Sequence, residues 1–205
     1  MAKIKPGKNA SKKDVIITKA SVLFRTKGFN ATSMRELAEA VGVEAPSLYN
    51  HIGSKSELLQ AICFKVANEF NTQLTKTENQ NVAVINKIES IIRFHITMML
   101  DEFDEVFVAN HEWKHLEEPF LSNFLNQRRN YEKRLVAILE EGTRKKELKN
   151  INPYVAVLTL LSAVRGLEFW QRHKKNISTK VLQDDMVTHL LKGIIMFRET
   201  QHDKK

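Results

Sequence analysis

The chain has 205 residues, 42% of them hydrophobic, which is enough apolar material to bury the core of one or two globular domains. Its one cysteine excludes an internal disulfide framework, and its apolar runs are too short and too interrupted to span a bilayer. The basic start of the sequence lacks the apolar stretch of a secretory signal, so we expect a soluble, cytoplasmic protein with no membrane partner.

The net charge of +8 is concentrated near the N-terminus. Residues 1–27 contain eight Lys or Arg residues and one acidic residue, Asp14. A basic arm over residues 1–10 that leads into a folded segment suits a polyanion such as DNA, because cationic side chains release counterions from the phosphates they contact. A solubilising tail would have the same composition, so charge alone does not decide between the two.

Helical periodicity runs through the rest of the chain. Apolar residues recur at spacings of three and four in six segments: Val15–Phe24, Leu58–Phe70, Val84–Met99, Phe120–Leu139, Val155–Trp170 and Val181–Phe197. No segment has the strict alternation of a half-buried strand. The sequence therefore predicts an all-α fold.

Three helix starts follow one another closely after Gly28. Ser33 and Glu36 have the spacing of a capping box ahead of a short helix. Gly42 supplies the positive φ angle of a tight turn, a second helix follows over about residues 44–51, and the capping box Ser54–Glu57 opens a longer helix. Two short helices joined by a glycine turn describe a helix-turn-helix, whose second helix enters the major groove of DNA. A small helical corner inside a larger core is the alternative.

The run "ITKASVLFRTKGFNATSMRELAEAVGVEAPSLYNHIGSKSELL" strongly resembles the N-terminal DNA-binding domain of TetR-family transcriptional regulators, over about residues 11–60. The positions that carry the resemblance are Leu23-Phe24, Gly28-Phe29, Thr32, Leu37-Ala38, Gly42-Val43, Leu48-Tyr49, His51 and Ser54-Lys55. It implies an N-terminal three-helix DNA-binding domain and a C-terminal helical domain, here residues 61–205, for ligand binding and dimerisation. It also implies a homodimer, without a cofactor or enzymatic activity, that represses transcription from a palindromic operator until a small ligand releases it.

The same resemblance assigns DNA contacts by position. The predicted DNA-binding residues are Thr32, Ser33, Arg35, Glu44, Ala45, Pro46, Ser47, Tyr49, Asn50, His51 and Lys55. Within this set Thr32, Ser33, Tyr49, His51 and Lys55 would lie on the phosphate side, and the residues at 44–47 and 50 would lie along the groove. Ile52 departs from the family pattern, which often has an aromatic residue there.

Flexible and aromatic side chains in the middle of the chain could line an adaptable apolar pocket. The candidates are His95, Met98, Met99, Phe103 and Trp113. Each of them could equally be an ordinary core residue, and for His95 a satisfied core histidine is the commoner alternative.

A second resemblance concerns the effector. The segment "NHEWKHLEEPF" and the residues from "LNQRRNYEKR" to "GLEFW" are similar to a TetR subgroup that controls fatty-acid, phenylacetate or sterol-ring degradation and responds to acyl-CoA thioesters. This similarity implies that Arg128 and Arg129 meet acidic groups of a CoA-like ligand. Surface ion pairing with Glu132 and its neighbours is the alternative for both arginines.

The last two predicted helices carry more apolar surface than one packing face requires. In a soluble chain this surplus must be covered, and two helices from each of two subunits would cover it as a four-helix dimer interface. An intramolecular core is the alternative.

One further pattern, "HEWKH", matches the zinc-protease motif H-E-x-x-H at His111, Glu112 and His115. The extended form of the motif requires glycine and histidine where this chain has Glu118 and Leu121. We therefore predict no catalytic and no metal site. A metal-dependent hydrolase, or a regulator that senses metal, is the alternative function.

Overall fold

The computed structural model of the protein describes residues 11–172, 177–192 and 194. The described residues contain α-helices and one 3₁₀ turn, with no β-strand among them, so the predicted all-α fold is confirmed. The helices are α1 (Lys12–Lys27), α2 (Met34–Val41), α3 (Ala45–Tyr49), α4 (Lys55–Glu78), α5 (Val84–Asp101), α6 (Phe103–His111), α7 (Phe120–Arg144), α8 (Pro153–Arg165), α9 (Leu167–Arg172) and α10 (Thr179–Lys192), with the 3₁₀ turn at Trp113–His115. No helix within the described ranges is both long and apolar enough to cross a membrane.

Some helix boundaries differ from the periodicity of the sequence. The segment predicted as one helix over Val155–Trp170 is divided into α8 and α9 at Gly166, a residue with weak helix propensity. The end of the predicted helix Val181–Phe197 lies outside the described residues. Helix α4 begins before its first apolar residue because the Ser54 hydroxyl accepts a hydrogen bond from the Glu57 backbone N–H at 3.0 Å.

The chain divides into two compact units. Among the described residues, the first unit contains residues 11–70 together with Asp101–Arg128, and the second contains Asn71–Leu100 and the described residues from Arg129 onward. These units do not follow the predicted functional division into residues 11–60 and 61–205, because α6 packs on α1. The functional division stays a prediction.

In the first unit, α1 packs against both α2 and α6. The Thr18 hydroxyl donates to the Glu105 carboxylate at 3.2 Å, and Arg25, in the last turn of α1, pairs with Asp104. The core of this unit is formed by fully buried side chains from several helices, among them Phe24, Leu37, Leu48, Ile52, Leu58 and Ile62. Helix α6 is therefore held to the predicted DNA-binding helices by both apolar packing and polar contacts.

In the second unit, α5 lies in the buried core, to which it contributes Ile88, Ile92 and Ile96. Arg134 of α7 binds the C-terminal end of α4. Its Nε donates to the Glu78 carboxylate at 3.0 Å, and its Nη2 donates to the Thr75 hydroxyl at 2.8 Å. Close packing requires glycine at position 142, where a Cβ atom would lie 2.6 Å from the Leu148 side chain.

Candidate nucleic-acid interface

The predicted helix-turn-helix is formed by α2, a glycine turn and α3. Ser33 and Glu36 form the predicted capping box at the start of α2. Gly42 ends α2 in the left-handed conformation (φ 80°), and its N–H donates to the Ala38 carbonyl at 2.9 Å. Both features that the sequence predicted for this corner are therefore present, and they set the direction in which α3 leaves α2.

Helix α3 is anchored by two apolar side chains. Leu48 is 0% exposed and Ile52, in the turn after the helix, is 1% exposed. The helix covers Ala45–Tyr49 and is shorter than the predicted range 44–51, because the N–H groups of His51 and Ile52 both turn back to the Leu48 carbonyl. Ile52, which departs from the family pattern, thus fills the core at this end of α3.

The face of α2 and α3 opposite this anchor is exposed. Tyr49 is 51% exposed, and the other exposed members of the predicted set are Ser33, Arg35, Glu44, Pro46, Ser47, Asn50 and His51, while Ala45 is half-buried. These side chains include hydrogen-bond donors and acceptors of a size that can reach base edges and phosphates. Eight of the eleven predicted DNA-binding residues are thus exposed at the protein surface, and their contacts with DNA stay predictions.

Glu36, although it was not in that set, affects the electrostatics of this surface. Its carboxylate pairs with Lys27 and accepts hydrogen bonds from the backbone N–H and the hydroxyl of Ser33, at 2.8 and 2.9 Å. The Lys27 ammonium and then the Ser33 N–H lower the pKa of Glu36 to about 2. The carboxylate is therefore ionised at neutral pH and can accept both hydrogen bonds of the capping box.

Two predicted phosphate contacts have other partners in the structure. Thr32 is 2% exposed, and its hydroxyl donates to the Gly28 carbonyl at 2.9 Å. The Lys55 ammonium donates to three backbone carbonyls, those of Phe29 at 2.8 Å, Thr32 at 2.9 Å and Asn30 at 3.2 Å. The DNA contacts of Thr32 and Lys55 stay predictions, and both side chains bind the turn between α1 and α2.

Sequence reasoning did not identify the residues that support this turn. The Glu112 carboxylate accepts a hydrogen bond from the Phe29 backbone N–H at 3.1 Å and lies 3.5 Å from His115 Nε2. The His115 ring stacks on the Phe29 ring with centroids 5.4 Å apart. The sequence does contain both motifs involved, "HEWKH" and Gly28-Phe29, but nothing in it indicates that the two segments are in contact.

The "HEWKH" segment does not lie on one helix. Helix α6 ends at His111, whose ring is 4.3 Å from that of Phe107, and the 3₁₀ turn follows. The one-turn spacing of two histidines on a helix is thus absent. Among the described residues, no group of three or more His, Cys, Asp or Glu side chains could hold a metal ion.

The predicted ligand residues are distributed over the two units. Phe103, Trp113 and Arg128 belong to the first unit, and His95, Met98, Met99 and Arg129 belong to the second. In the first unit the Arg128 guanidinium lies 5.8 Å from the Trp113 ring centroid and 5.9 Å from that of Phe124, while Phe103 lies under Arg25.

The second unit contains a narrow apolar cavity. It is lined by aliphatic side chains of α5, α7 and α8 and by His95. The centre of a water molecule can occupy about 20 Å³ of this cavity. Of the predicted residues in this unit, His95 lines the cavity, whereas Met98 and Met99 are buried elsewhere in the core of α5. The lining residues are Ile88, Ile91, Ile92, His95, Leu135, Ile138, Leu139, Val157, Leu160, Leu161 and Val164.

His95 is the single ionisable side chain in this lining. A hydrogen bond of 2.8 Å joins its Nε2 to the Tyr131 hydroxyl. Burial, and then the positive charge of Arg165, lower the pKa of His95 to about 3. The histidine is therefore neutral at neutral pH, and the cavity presents no charge to a ligand.

The outer face of α8 carries exposed apolar side chains in this single chain. Tyr154 and Leu158 are both 66% exposed and lie one turn apart, with Val155 beside them at 58%. Phe169 of α9 and Val181 of α10 are also at least half exposed. Exposed apolar side chains grouped in this way mark an interaction surface.

Comparison with known proteins gives two family matches. A family model described as "Bacterial regulatory proteins, tetR family" matches residues 16–62, and one described as "Tetracyclin repressor-like, C-terminal domain" matches residues 82–194. The HTH-type transcriptional repressor KstR2 of Mycolicibacterium smegmatis is 22% identical over 143 residues, which are 69% of this chain and 70% of that protein.

Solved structures share the fold at low identity. The ketosteroid transcriptional regulator KstR2 of Mycobacterium tuberculosis is 16% identical with a TM-score of 0.85, over 93% of this chain and 98% of that one. AibR, solved in complex with isovaleryl coenzyme A and operator DNA, is 22% identical with a TM-score of 0.76, over 87% of this chain and 97% of that one.

Proposed function

The chain belongs to the TetR family of transcriptional regulators, and from this membership we propose that it is a dimeric repressor that binds a palindromic operator through α2 and α3 and leaves it when an apolar or acyl-CoA effector binds. Its family is a class of DNA-binding regulators and not a class of enzymes. The observation that carries the proposal is the exposed polar face of α3, held in a fixed orientation by Leu48 and Ile52.

We assign the DNA contacts according to exposure. Tyr49 and His51 are suited to phosphates, because their hydroxyl and ring N–H groups are at the surface, whereas the Ser33 hydroxyl is engaged with Glu36 in the cap of α2. Ser47 and Asn50 are suited to base edges, since hydroxyl and amide groups both donate and accept there. The basic arm over residues 1–10 lies outside the described residues and would add sequence-independent affinity.

The proposed dimer forms through α8, α9 and α10, which carry the exposed apolar side chains Tyr154, Val155, Leu158, Phe169 and Val181. Burying this surface against its copy would remove it from water, at roughly 25 cal/mol per Å² of apolar area. A dimer with a two-fold axis would also match the symmetry of a palindromic operator.

The proposed effector carries an uncharged aliphatic or alicyclic group. The aliphatic side chains of the lining and the neutral His95 favour such a group, because a charged group buried among them would lose its hydration. AibR was solved with isovaleryl coenzyme A, and a branched acyl chain of this type fits the chemistry of the lining. The present cavity has room for about one water molecule, so the effector must widen it. This widening is the change that we propose to weaken DNA binding.

One experiment tests the whole proposal. Wild-type protein is used to select a duplex from a random pool, and the affinity for that duplex is measured by fluorescence anisotropy with acyl-CoA thioesters, the corresponding free acids or coenzyme A alone. We expect selection of a palindromic site and a loss of affinity with one acyl-CoA class. Failure to enrich any duplex would refute the DNA-binding function, and release by no acyl-CoA or free acid would refute the effector class.

A further inference from the structure

Phe29, in the turn between α1 and α2, is held by hydrogen bonds on both sides of its backbone. Its N–H donates to the Glu112 carboxylate at 3.1 Å, and its carbonyl accepts from the Lys55 ammonium at 2.8 Å. The two partners, Glu112 and Lys55, carry opposite formal charges, and both lie far from Phe29 in the sequence. Hydrogen bonds with one ionised member are about twice as strong as neutral ones, so this residue is held firmly.

The ring of Phe29 is held as well. The Lys55 ammonium lies 4.5 Å from its centroid, the His115 ring stacks on it at an interplanar angle of 21°, and the Phe24 ring meets it edge-on at 5.2 Å. The Phe29 side chain is 7% exposed as a result. The Lys55 ammonium, the His115 imidazole and the Phe24 ring thus surround the buried Phe29 ring.

This arrangement extends to the start of α2. The Lys55 ammonium also binds the carbonyls of Asn30 and Thr32, and the Thr32 N–H donates to the Phe29 carbonyl at 3.3 Å. Ser33, the next residue, is the N-cap of α2. The Lys55 ammonium and the Thr32 N–H thus connect Phe29 to the residues that lead directly into the N-cap of α2.

We propose that Lys55, Glu112 and His115 are positioning residues for DNA binding, which act by clamping Phe29 so that α2 and α3 have the correct placement. This inference rests on the proposed DNA-binding function and assigns a role to the "HEWKH" segment. None of the three residues needs to touch DNA for this role. Lys55 in particular has three ammonium donors, and three backbone carbonyls occupy them.

The clamp and a phosphate contact make different predictions for Lys55. A phosphate contact releases counterions, so its loss lowers the slope of log affinity against log salt by about 0.9. Loss of a positioning residue lowers affinity at every salt concentration and leaves the slope unchanged. The salt dependence of Lys55→Met therefore separates the two roles.

The test combines amide hydrogen exchange of the free, full-length protein with affinity for the selected duplex. Variants are Lys55→Met, Glu112→Met, their double variant, and Glu112→Gln, whose amide oxygen can still accept the Phe29 N–H. Lys65→Met and Glu102→Met are matched controls, because these two residues form a 3.1 Å ion pair in the same unit without touching Phe29. All affinities are normalised to the folded fraction.

In the amide hydrogen-exchange measurement, we expect the Phe29 amide to lose protection in Glu112→Met and to keep it in Glu112→Gln. In binding, Lys55→Met and Glu112→Met should each lower affinity by about tenfold, the double variant by little more, and the salt slope should not change. The controls should bind within about twofold of wild type.

Three results would overturn the inference: unchanged Phe29 exchange in Glu112→Met, a lower salt slope in Lys55→Met, or an equal loss of affinity in the controls. Exchange is measured without DNA, so it reports on the clamp even if the protein selects no duplex. Failure of the clamp and failure of the DNA-binding function are thus distinguishable.

Discussion

Acidification should destabilise the protein through His95, and the size of the effect follows from its burial. The pKa of His95 is lowered to about 3 in the folded protein, from 6.5 for an ordinary histidine. The unfolded chain therefore binds a proton below pH 6.5 that the folded protein binds only near pH 3. Stability that is fully present above pH 6.5 is lost as the pH falls through this window.

The magnitude can be worked out from that window. Each pH unit below 6.5 costs about 1.4 kcal/mol, so the contribution of His95 at pH 5 is a loss of about 2 kcal/mol relative to neutral pH. The matched variant is His95→Gln, which does not titrate and keeps a polar group near the Tyr131 hydroxyl. Other titrating groups are common to both proteins and cancel in the difference.

The assay is urea unfolding at pH 7 and pH 5 at one fixed protein concentration, because a dimer unfolds in a concentration-dependent way. We expect the wild type to lose about 2 kcal/mol more than His95→Gln between the two pH values. Parallel losses in the two proteins would refute the reasoning, since they would mean that His95 titrates normally and that the cavity is open to water.

Three more predictions concern the proposed function. Tyr49→Ala should weaken binding to the selected duplex by about tenfold, as expected for one lost phosphate contact and its packing, whereas His111→Ala should bind like the wild type in the same anisotropy assay. Equal effects of the two changes would contradict the docking through α3. Leu158→Glu places a charge on the exposed face of α8 and should shift the protein from dimer to monomer in light scattering, and a persistent dimer would exclude this face as the interface. Val157→Ile adds one methylene to a cavity with room for about one water, and it should reduce acyl-CoA release while DNA affinity stays within about twofold, so an unchanged effector response would place the ligand elsewhere.

The local features of the DNA-binding region could be predicted because each depends on residues close in sequence. The capping box at Ser33 and Glu36 and the left-handed Gly42 both formed as predicted. Helix ends were predicted less well. The break at Gly166 falls inside a continuous apolar pattern, and α3 ends at Tyr49 because of backbone hydrogen bonds that no pattern encodes.

The roles of Lys55 and Glu112 could not be predicted in this way. The family resemblance placed Lys55 on the phosphate side, but its ammonium meets carbonyls 23 to 26 residues earlier in the chain. Glu112 lies in an apparent metal motif, yet its carboxylate binds a backbone N–H 83 residues away.

The sequence by itself determined the all-α fold and the helix-turn-helix, because caps, glycine turns and apolar periodicity act over a few residues. The family was indicated by the resemblance of about residues 11–60 to TetR-family regulators. Only the tertiary structure decided that "HEWKH" meets the turn before α2 and that His95 is a neutral group in an apolar cavity. The physical reason is that hydrogen-bond partners and burial depend on which distant segments pack together, and residue spacing carries no information about that packing.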